Sequence, residues 1–262
     1  MDLEAYLARV GYEGSRAPTI GTLHALTKAH AIAIPFENLD VLLGRPIDLE
    51  IDRVFDKLVV RRRGGYCFEQ NTLFLQVLES LGFAVEPLSG RVRLNRPRDF
   101  IPPRTHMFLR VTLGGETWLT DVGVGAASLT SAIRFVPDEP QATPHDTRRI
   151  VREGDVWMHQ VRWGDTWHDV YEFTGERMPP IDREVANWFT SAHPRSHFKD
   201  RLMVARARPD GGRVSIQDRE LTFRDPDGKG HPRTLASDEE VLAALREHFA
   251  LDFAAGTRFL PS

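Results

Sequence analysis

The hydrophobic periodicity of the chain changes near residue 84, and this change limits the folds that are available. Before it, apolar residues recur every three to four positions, a spacing typical of amphipathic helices. After it, segments rich in Val, Thr, Trp and Phe alternate with a period of two between short glycine turns, which is typical of antiparallel strands. Helices first and strands afterwards predict an α+β fold of packed subdomains.

Capping residues and periodicity together place the predicted elements. Gly11, Pro35 and Gly82 end the first, second and fourth helices. The predicted helices begin at Asp2, Thr19, Asp52 and Cys67, and two more cover 182–192 and 237–250. The predicted strands are 84–94, 106–113, 117–122, 148–153, 156–163, 166–173, 202–207, 213–217 and 220–224. Residues 123–147 form a stretch of small residues and prolines, and residues 225–230 are interpreted as a turn.

The charge balance excludes several classes of partner. Among 262 residues, 34 are Lys or Arg and 37 are Asp or Glu, so the net charge is −3. This balance provides no general field for a nucleic acid or an anionic membrane. The first four residues include two acids, which is unlike a signal peptide, and no apolar run is long enough for a membrane span. We therefore expect a cytoplasmic protein.

The chain has one cysteine, Cys67, which excludes an intrachain disulfide and a multi-cysteine metal site. Gly64 and Gly65 precede it, and a predicted helix begins at it. These glycines allow backbone conformations that are closed to other residues, so we expect that the loop can approach a substrate closely. A thiol at a helix N-terminus lies in a field that favours thiolate, and the free N–H groups there can stabilise an oxyanion. A buried, inert cysteine is the alternative.

A partner for this thiol is predicted in the hairpin closed by Gly114 and Gly115. If these two residues form the turn, residue i faces residue 229 − i, and Asp121 lies opposite Phe108. His106 is then a diagonal neighbour of Asp121 on the same face, within reach of a hydrogen bond. A shift of the strand register by one residue would place His106 and Asp121 on opposite faces of the hairpin. The hypothesis is a Cys67, His106 and Asp121 triad.

Five sequence blocks resemble the arylamine N-acetyltransferases, with matching order and separation. The blocks are IPFENLDVLLG (34–44), RGGYCFEQN (63–71), RTHMFL (104–109), DVGVG (121–125) and NWFTSAHPRSHF (187–198). The resemblance covers nearly the whole chain, whose length suits a prokaryotic member. It implies a cysteine-proteinase-like core, similar to papain and the transglutaminases. The expected domains are a helical bundle over 1–84, an antiparallel β-barrel over 85–195 and an α/β lid over 196–262.

The resemblance also implies a ping-pong reaction. Cys67 takes an acetyl group from acetyl-CoA as a thioester, and an arylamine, hydrazine or N-hydroxyarylamine then accepts it. Acetyl-CoA is expected as a substrate, with no permanently bound cofactor and no metal. The expected partners are acetyl-CoA and small aromatic amines or hydrazines, with no nucleic acid and no membrane, and a homodimer is left open.

Further residues match positions with roles in the family. Glu37 and Arg63 match a structural ion pair. Two unrelated exposed charges are the simpler interpretation, but we favour the pair because each residue lies beside an apolar or glycine-rich motif. Four other residues match positions that line the substrate cleft, namely Phe36, Val124, Gly125 and Phe198. Two departures bear on substrates. Val124 stands where the family commonly has Phe, and Pro102-Pro103 lack backbone donors where relatives often contact CoA.

Two alternatives to acetyl transfer stay open at this point. An amide synthase or a cysteine hydrolase would use the same triad on another acyl substrate. A binding domain with a buried cysteine would require the three triad positions to be accidental. The nearly full-length resemblance favours the acetyltransferase.

Overall fold

Residues 1–260 are described by the computed structural model, and seven helices lie within them. Four of the helices precede residue 67, one begins there, and two follow the strands of the middle third. The helices are α1 (Leu3–Val10), α2 (Ile20–Ala33), α3 (Leu39–Leu42), α4 (Ile51–Phe55, continued by a π-helical turn over Asp56–Val60), α5 (Cys67–Ser80), α6 (Pro180–Ala192) and α7 (Asp238–Phe249).

Thirteen strands lie in the same described part of the chain. They are β1 (Phe36–Glu37), β2 (Ala84–Val92), β3 (His106–Leu113), β4 (Glu116–Thr120), β5 (Ile133–Arg134), β6 (Gln141–Ala142), β7 (Thr147–Glu153), β8 (Val156–Trp163), β9 (Thr166–Phe173), β10 (Met203–Ala207), β11 (Arg213–Gln217), β12 (Glu220–Arg224) and β13 (Gly230–Thr234). They form two antiparallel sheets, one of eight strands and one of five.

Two of the predicted N-caps, Asp2 and Thr19, are present, whereas α4 begins at Ile51 with Glu50 as its N-cap, before the predicted start at Asp52. Asp2 Oδ1 accepts a hydrogen bond of 3.1 Å from the Ala5 amide at the start of α1, and Thr19 Oγ1 caps α2 in the same way. Gly11 ends α1 in the left-handed conformation, with a φ of 66°. The buried apolar faces of α1, α2 and α5 form one core around residues such as Leu26. α5 is buried along most of its length and lies at the centre of the helical part, with Cys67 at its first position.

The eight-stranded sheet has the order β5-β4-β3-β2-β9-β8-β7-β6 and is rolled into a nearly closed barrel. The Gln141 side chain joins its two edge strands, because Oε1 accepts from the Arg134 amide at 2.7 Å and Nε2 donates to the Arg134 carbonyl at 3.0 Å. The interior is apolar and aromatic, and includes Phe108 and Tyr171. The prediction of an α+β fold with helices and an antiparallel barrel is confirmed.

The five-stranded sheet has the order β1-β10-β11-β12-β13 and packs against α7. Its first strand comes from residues 36–37, which pair with Ala205 and Val204 of β10. Two segments about 170 residues apart are thereby joined at one sheet edge. The five-stranded sheet thus takes one strand from the range predicted for the helical bundle. The boundaries at residues 84 and 195 stay a prediction.

Four strands are absent from the sequence prediction: β5 and β6 lie in the stretch 123–147, and β13 and β1 were missed for different reasons. β13 follows the predicted turn at 225–230, and it contains Pro232 and mostly exposed residues, which an edge strand tolerates. β1 has only two residues, and its partner lies in the last third of the chain. Neither segment carries the alternation that marks a half-buried strand.

Within residues 1–260, no helix combines the length and the apolar character needed to cross a membrane.

Candidate active site

Cys67 is the first residue of α5 and is 4% exposed. The Glu69 carboxylate accepts a hydrogen bond of 3.1 Å from the Tyr66 amide, which fixes the entry into the helix. The thiol lies 3.7 Å from the carbonyl oxygen of Thr105, in the loop before β3. The nucleophile candidate is thus held at a helix N-terminus and faces the barrel.

The two glycines before Cys67 are required for close packing. Neither of them has a positive φ, so the requirement for glycine comes from space and not from a left-handed backbone. A Cβ on Gly64 would lie 2.1 Å from the Pro35 carbonyl oxygen, and one on Gly65 would lie 2.6 Å from Glu69 Oε2. The protein's own backbone and a buried carboxylate occupy the space in which a side chain would stand.

The β3–β4 hairpin has the predicted register. Leu109 pairs with Thr120 and Arg110 with Leu119, so each pair sums to 229. β4 ends at Thr120, and Asp121 follows it directly. The His106 ring consequently reaches Asp121, and its Nε2 lies 2.7 Å from Asp121 Oδ2. Both side chains are almost completely buried, at 1% and 0% exposure.

The protonation states of this pair follow from burial and charge. Burial alone would lower the pKa of His106, but the Asp121 charge and hydrogen bonds with Asp121 and Cys67 raise it to about 10. Burial would likewise raise the pKa of the Asp121 carboxyl. Its contact with His106 and hydrogen bonds from Asn71 and Gly123 outweigh burial and hold that pKa below its usual range. At neutral pH the pair is an imidazolium and a carboxylate.

Asn71 is a site residue that the sequence reasoning missed. Its Nδ2 donates to Asp121 Oδ1 at 2.9 Å and to the Met107 carbonyl at 2.7 Å. Its Oδ1 accepts from the Val122 amide at 3.2 Å. Asn71 lies four residues after Cys67 on α5, so both side chains are on one face of the helix. The spacing of Cys67 and Asn71 within RGGYCFEQN could have predicted that both side chains lie at the site.

A buried group of five charged residues supports the loop before Cys67. Arg63 Nη2 lies 2.6 Å from Glu37 Oε1 and 3.3 Å from Asp40 Oδ1. Lys57 Nζ lies 2.8 Å from Asp40 Oδ2 and 2.7 Å from Glu69 Oε1. Burial would raise the pKa of Asp40, but the two cations lower it to about 2. Glu37 and Arg63 are therefore in contact, within a larger group than the predicted pair.

Three of the four predicted cleft residues lie together. The rings of Phe36 and Phe198 have centroids 6.3 Å apart, and a Cβ on Gly125 would lie 3.6 Å from the Phe36 ring. Val124 is 7% exposed and packs in the apolar interior of the barrel. We call the packed group of Phe36, Gly125 and Phe198 the aromatic cluster. The predicted role of these four residues in substrate binding stays a prediction.

The loop before β3 contains the two prolines singled out in the sequence. The Pro102 carbonyl accepts a hydrogen bond of 2.6 Å from Arg91, and the Pro103 carbonyl accepts one of 3.0 Å from the Thr105 amide. These contacts fix the backbone next to Cys67.

In the described part of the chain, no group of three or more His, Cys, Asp or Glu side chains is arranged to hold a metal ion.

Comparisons with known proteins agree with this geometry. A family model described as N-acetyltransferase matches residues 19–258. The arylamine N-acetyltransferase of Mycolicibacterium smegmatis is 44% identical over 256 residues, which are 96% of this chain and 92% of that protein. The chain belongs to the arylamine N-acetyltransferase family. It is therefore an enzyme of the acetyltransferase class.

Two further members of the family are similarly close. The arylamine N-acetyltransferase of Escherichia coli K12 is 41% identical over 249 residues, or 95% of this chain and 88% of that protein. The structure of the Mycobacterium marinum arylamine N-acetyltransferase in complex with CoA is 39% identical and superposes with a TM-score of 0.91. The superposition covers 95% of this chain and 92% of that one. The whole fold is therefore that of an arylamine N-acetyltransferase.

In this arylamine N-acetyltransferase, separate sequence blocks meet at one place. RGGYCFEQN supplies Cys67 and Asn71 on α5, while RTHMFL and DVGVG supply His106 and Asp121 from the barrel. IPFENL and the block ending at Phe198 supply the two rings of the aromatic cluster. The site thus lies where the helical part, the barrel and the segment before β10 come together.

Proposed function

We propose that the protein transfers the acetyl group of acetyl-CoA to aromatic amines or hydrazines through a Cys67 thioester. In this mechanism Cys67, His106 and Asp121 act as a catalytic triad. The observation that carries the proposal is the buried His106–Asp121 contact of 2.7 Å, which keeps His106 protonated beside the thiol at neutral pH. The M. marinum relative with bound CoA supports CoA as the acyl carrier.

The first half-reaction transfers the acetyl group to the protein. The Cys67 thiolate, paired with the His106 imidazolium, attacks the carbonyl carbon of acetyl-CoA and forms a tetrahedral oxyanion. N–H groups of the first turn of α5 have no partner inside the helix and can donate to that oxyanion. The bond to the CoA sulfur then breaks, CoA takes the proton from His106, and acetyl-Cys67 remains.

The second half-reaction transfers the acetyl group to the amine. The amine nitrogen attacks the thioester carbon, and neutral His106 accepts the proton that the nitrogen loses. Cys67 leaves as a thiolate and the imidazolium is restored. Asp121 orients the ring through Nε2 in both steps, so the other ring nitrogen is the one that exchanges protons.

Intact mass after mixing with acetyl-CoA tests this proposal. We expect an adduct of about 42 Da on the wild type, which is an acetyl group replacing a hydrogen, and none on Cys67→Ala. Adding aniline should remove the adduct and produce an equal amount of acetanilide. Circular dichroism shows that both proteins are folded. A folded wild type without the adduct, or an adduct on Cys67→Ala, would contradict the mechanism.

A further inference from the structure

The outer face of α6 carries a row of exposed apolar side chains. Ile181, Val185 and Trp188 are 62%, 59% and 57% exposed, and Ala192 is exposed at the end of the helix. Spacings of four, three and four residues put these side chains on one face of the helix. We call this row of four residues the α6 seam. A narrow stripe with such spacing is typical of a helix that pairs with a second helix, because a helix that packs on a protein core has a wider apolar face.

The opposite face of α6 is fixed in the interior of the protein. Ala186, Asn187 and Thr190 are buried there. Asn187 accepts a hydrogen bond from the Tyr66 hydroxyl, and its Nδ2 donates to the Ile47 carbonyl at 2.9 Å. Turning the helix about its axis to bury the seam would break these buried hydrogen bonds. The fold therefore presents the α6 seam rigidly to solvent.

The α6 seam is complementary to itself. In two antiparallel helices related by a two-fold axis between residues 186 and 187, Ile181 faces Ala192 of the second copy and Val185 faces Trp188, because both pairs of numbers sum to 373. Every seam position then meets an apolar side chain. In each pair a larger side chain faces a smaller one, which allows the two helix axes to approach to about 8–10 Å.

The charges beside the seam follow the same symmetry. Asp182 is exposed in the first turn of α6, whereas Lys199 Nζ donates to the Ala192 carbonyl at 3.3 Å, at the other end of the helix. Because Ala192 faces Ile181 of the second copy, the ammonium group of Lys199 comes level with Asp182 of that copy. The macrodipoles of the two helices also run in opposite directions. A parallel pair would instead place like charges side by side.

We propose that α6 is the contact surface of a two-fold symmetric homodimer, in which the α6 seams of two copies pack antiparallel. The apolar contact comes from four side chains of each copy, so the interface is smaller than the standard size of about 1,600 Å². The dimer therefore forms at micromolar or higher protein concentrations. This inference goes beyond acetyl transfer, and its tests measure association alone.

Sedimentation velocity of the full-length protein between about 1 and 200 µM tests the dimer. We expect the wild type to change from monomer to dimer over this range. Val185→Glu should stay monomeric, because pairing would bury two carboxylates without cationic partners. Val60→Glu is the matched control, since Val60 is 63% exposed but lies on the π-helical turn after α4. It should associate as the wild type does. A wild type that is monomeric at the highest concentration, or a Val185→Glu variant that associates normally, would overturn the proposal.

Charge reversal tests the antiparallel arrangement. Asp182→Lys and Lys199→Glu each replace two attractive contacts in the dimer with two repulsive ones, so each should raise the dissociation constant at least about five-fold. The double variant exchanges the two charges and should restore the wild-type dissociation constant. Circular dichroism shows that all variants are folded. Single variants that associate like the wild type, or a double variant as weak as the single ones, would refute the pairing of α6 with its own copy.

Discussion

Asn71 donates a hydrogen bond of 2.9 Å to the carboxylate of Asp121. Because Asn71 lies one turn after Cys67 on α5, the helix that presents the thiol also holds the acid of the barrel. Asn71→Leu removes this donor and the 2.7 Å bond to the Met107 carbonyl. An unsatisfied buried group costs about 1–3 kcal/mol, so we expect kcat/KM to fall by roughly 10- to 100-fold.

The measurement for Asn71→Leu is the rate of CoA release with aniline as acceptor. Gln76→Leu is the control on the same helix, since its amide bonds only the exposed Glu79. We expect Gln76→Leu to retain the wild-type rate. If Asn71→Leu also retained it, Asp121 would be held sufficiently by His106 and the Gly123 amide.

The His106–Asp121 contact could be predicted from the sequence, and the Asn71 contact was not. The turn at Gly114-Gly115 fixes the register of the whole hairpin, so local rules are enough to place His106 beside Asp121. Asn71 meets Asp121 only because α5 packs on the barrel across a separation of 50 residues. Hairpin geometry is local, whereas the docking of a helix on a sheet depends on the complete core.

The same distinction explains the rest of the fold. N-caps such as Asp2 and Thr19 can be predicted from the few residues that follow them in the sequence, and both are present. β1 forms only because residues 36–37 pair with β10, and no local sequence pattern predicts this strand. The buried partners of Lys57 are similarly non-local, since Asp40 and Glu69 come from two other segments.

The second prediction concerns the pH dependence of thiol reactivity. The pKa of His106 is raised to about 10, so the imidazolium persists at neutral pH and is lost as the pH rises through 10. We expect alkylation of Cys67 by iodoacetamide to vary little between about pH 6 and 9, because the His106 imidazolium beside the sulfur persists across that range. His106→Gln should react slowly at neutral pH and faster as the pH rises.

Intact mass follows this reaction at a single site, because Cys67 is the only cysteine. A thiol without a cationic partner is only a few per cent ionised at pH 7, so His106→Gln should react roughly 10-fold or more slowly there. His231→Gln is the control, since this histidine is exposed and pairs with Asp225. A wild type with the same pH profile as His106→Gln would argue against an ion pair.

The third prediction concerns the close approach of Gly123 to α5. A Cβ at this position would lie 2.6 Å from the Cys67 Cα and 2.8 Å from Asn71 Nδ2. Since the first of these atoms is backbone, Gly123→Ala must displace α5 or the loop after β4. We expect loss of nearly all activity and destabilisation by about 1–3 kcal/mol, measured by urea unfolding.

Gly21→Ala is the matched control for that substitution. Gly21 lies in α2, its φ is not positive, and an added Cβ would meet only Thr19 Oγ1 at 3.9 Å. Alanine in a helix is favoured over glycine by about 1 kcal/mol, so this variant should be at least as stable as the wild type. Equal effects of the two substitutions would refute the argument from close packing.

The fourth prediction concerns the buried charges beside the catalytic loop. Lys57 contacts Asp40 and Glu69, and its side chain is 8% exposed. Lys57→Met leaves two carboxylates without this cation in the interior, so we expect a loss of about 3–5 kcal/mol in the free energy of unfolding. Arg61→Met removes an ion pair with Asp56 in which both side chains are about half exposed, and it should cost less than about 1 kcal/mol. Urea unfolding at pH 7 compares the two variants. Similar losses of unfolding free energy would contradict the argument that a buried ion pair matters more than an exposed one.

The last prediction concerns acid stability and His159, which lies inside the barrel against Tyr171. Burial, with a smaller contribution from Arg148, lowers the pKa of His159 to about 3. In the unfolded chain His159 has a pKa of about 6.5, so below that pH the unfolded chain binds a proton that the folded protein does not bind. Stability therefore falls as the pH drops from 6.5 towards 3, by roughly 1 kcal/mol per pH unit for this residue.

His159→Phe should reduce that dependence on pH. Neither ring nitrogen of His159 has a hydrogen-bond partner among residues 1–260, so phenylalanine removes the titrating group without breaking a bond. Urea unfolding at pH 7 and pH 5 should show a smaller difference for His159→Phe than for the wild type. Part of the dependence should remain, because burial also lowers the pKa of His30 to about 3. His231→Phe, on the surface, should retain the wild-type difference, and an unchanged difference in His159→Phe would mean that His159 is protonated in the folded barrel.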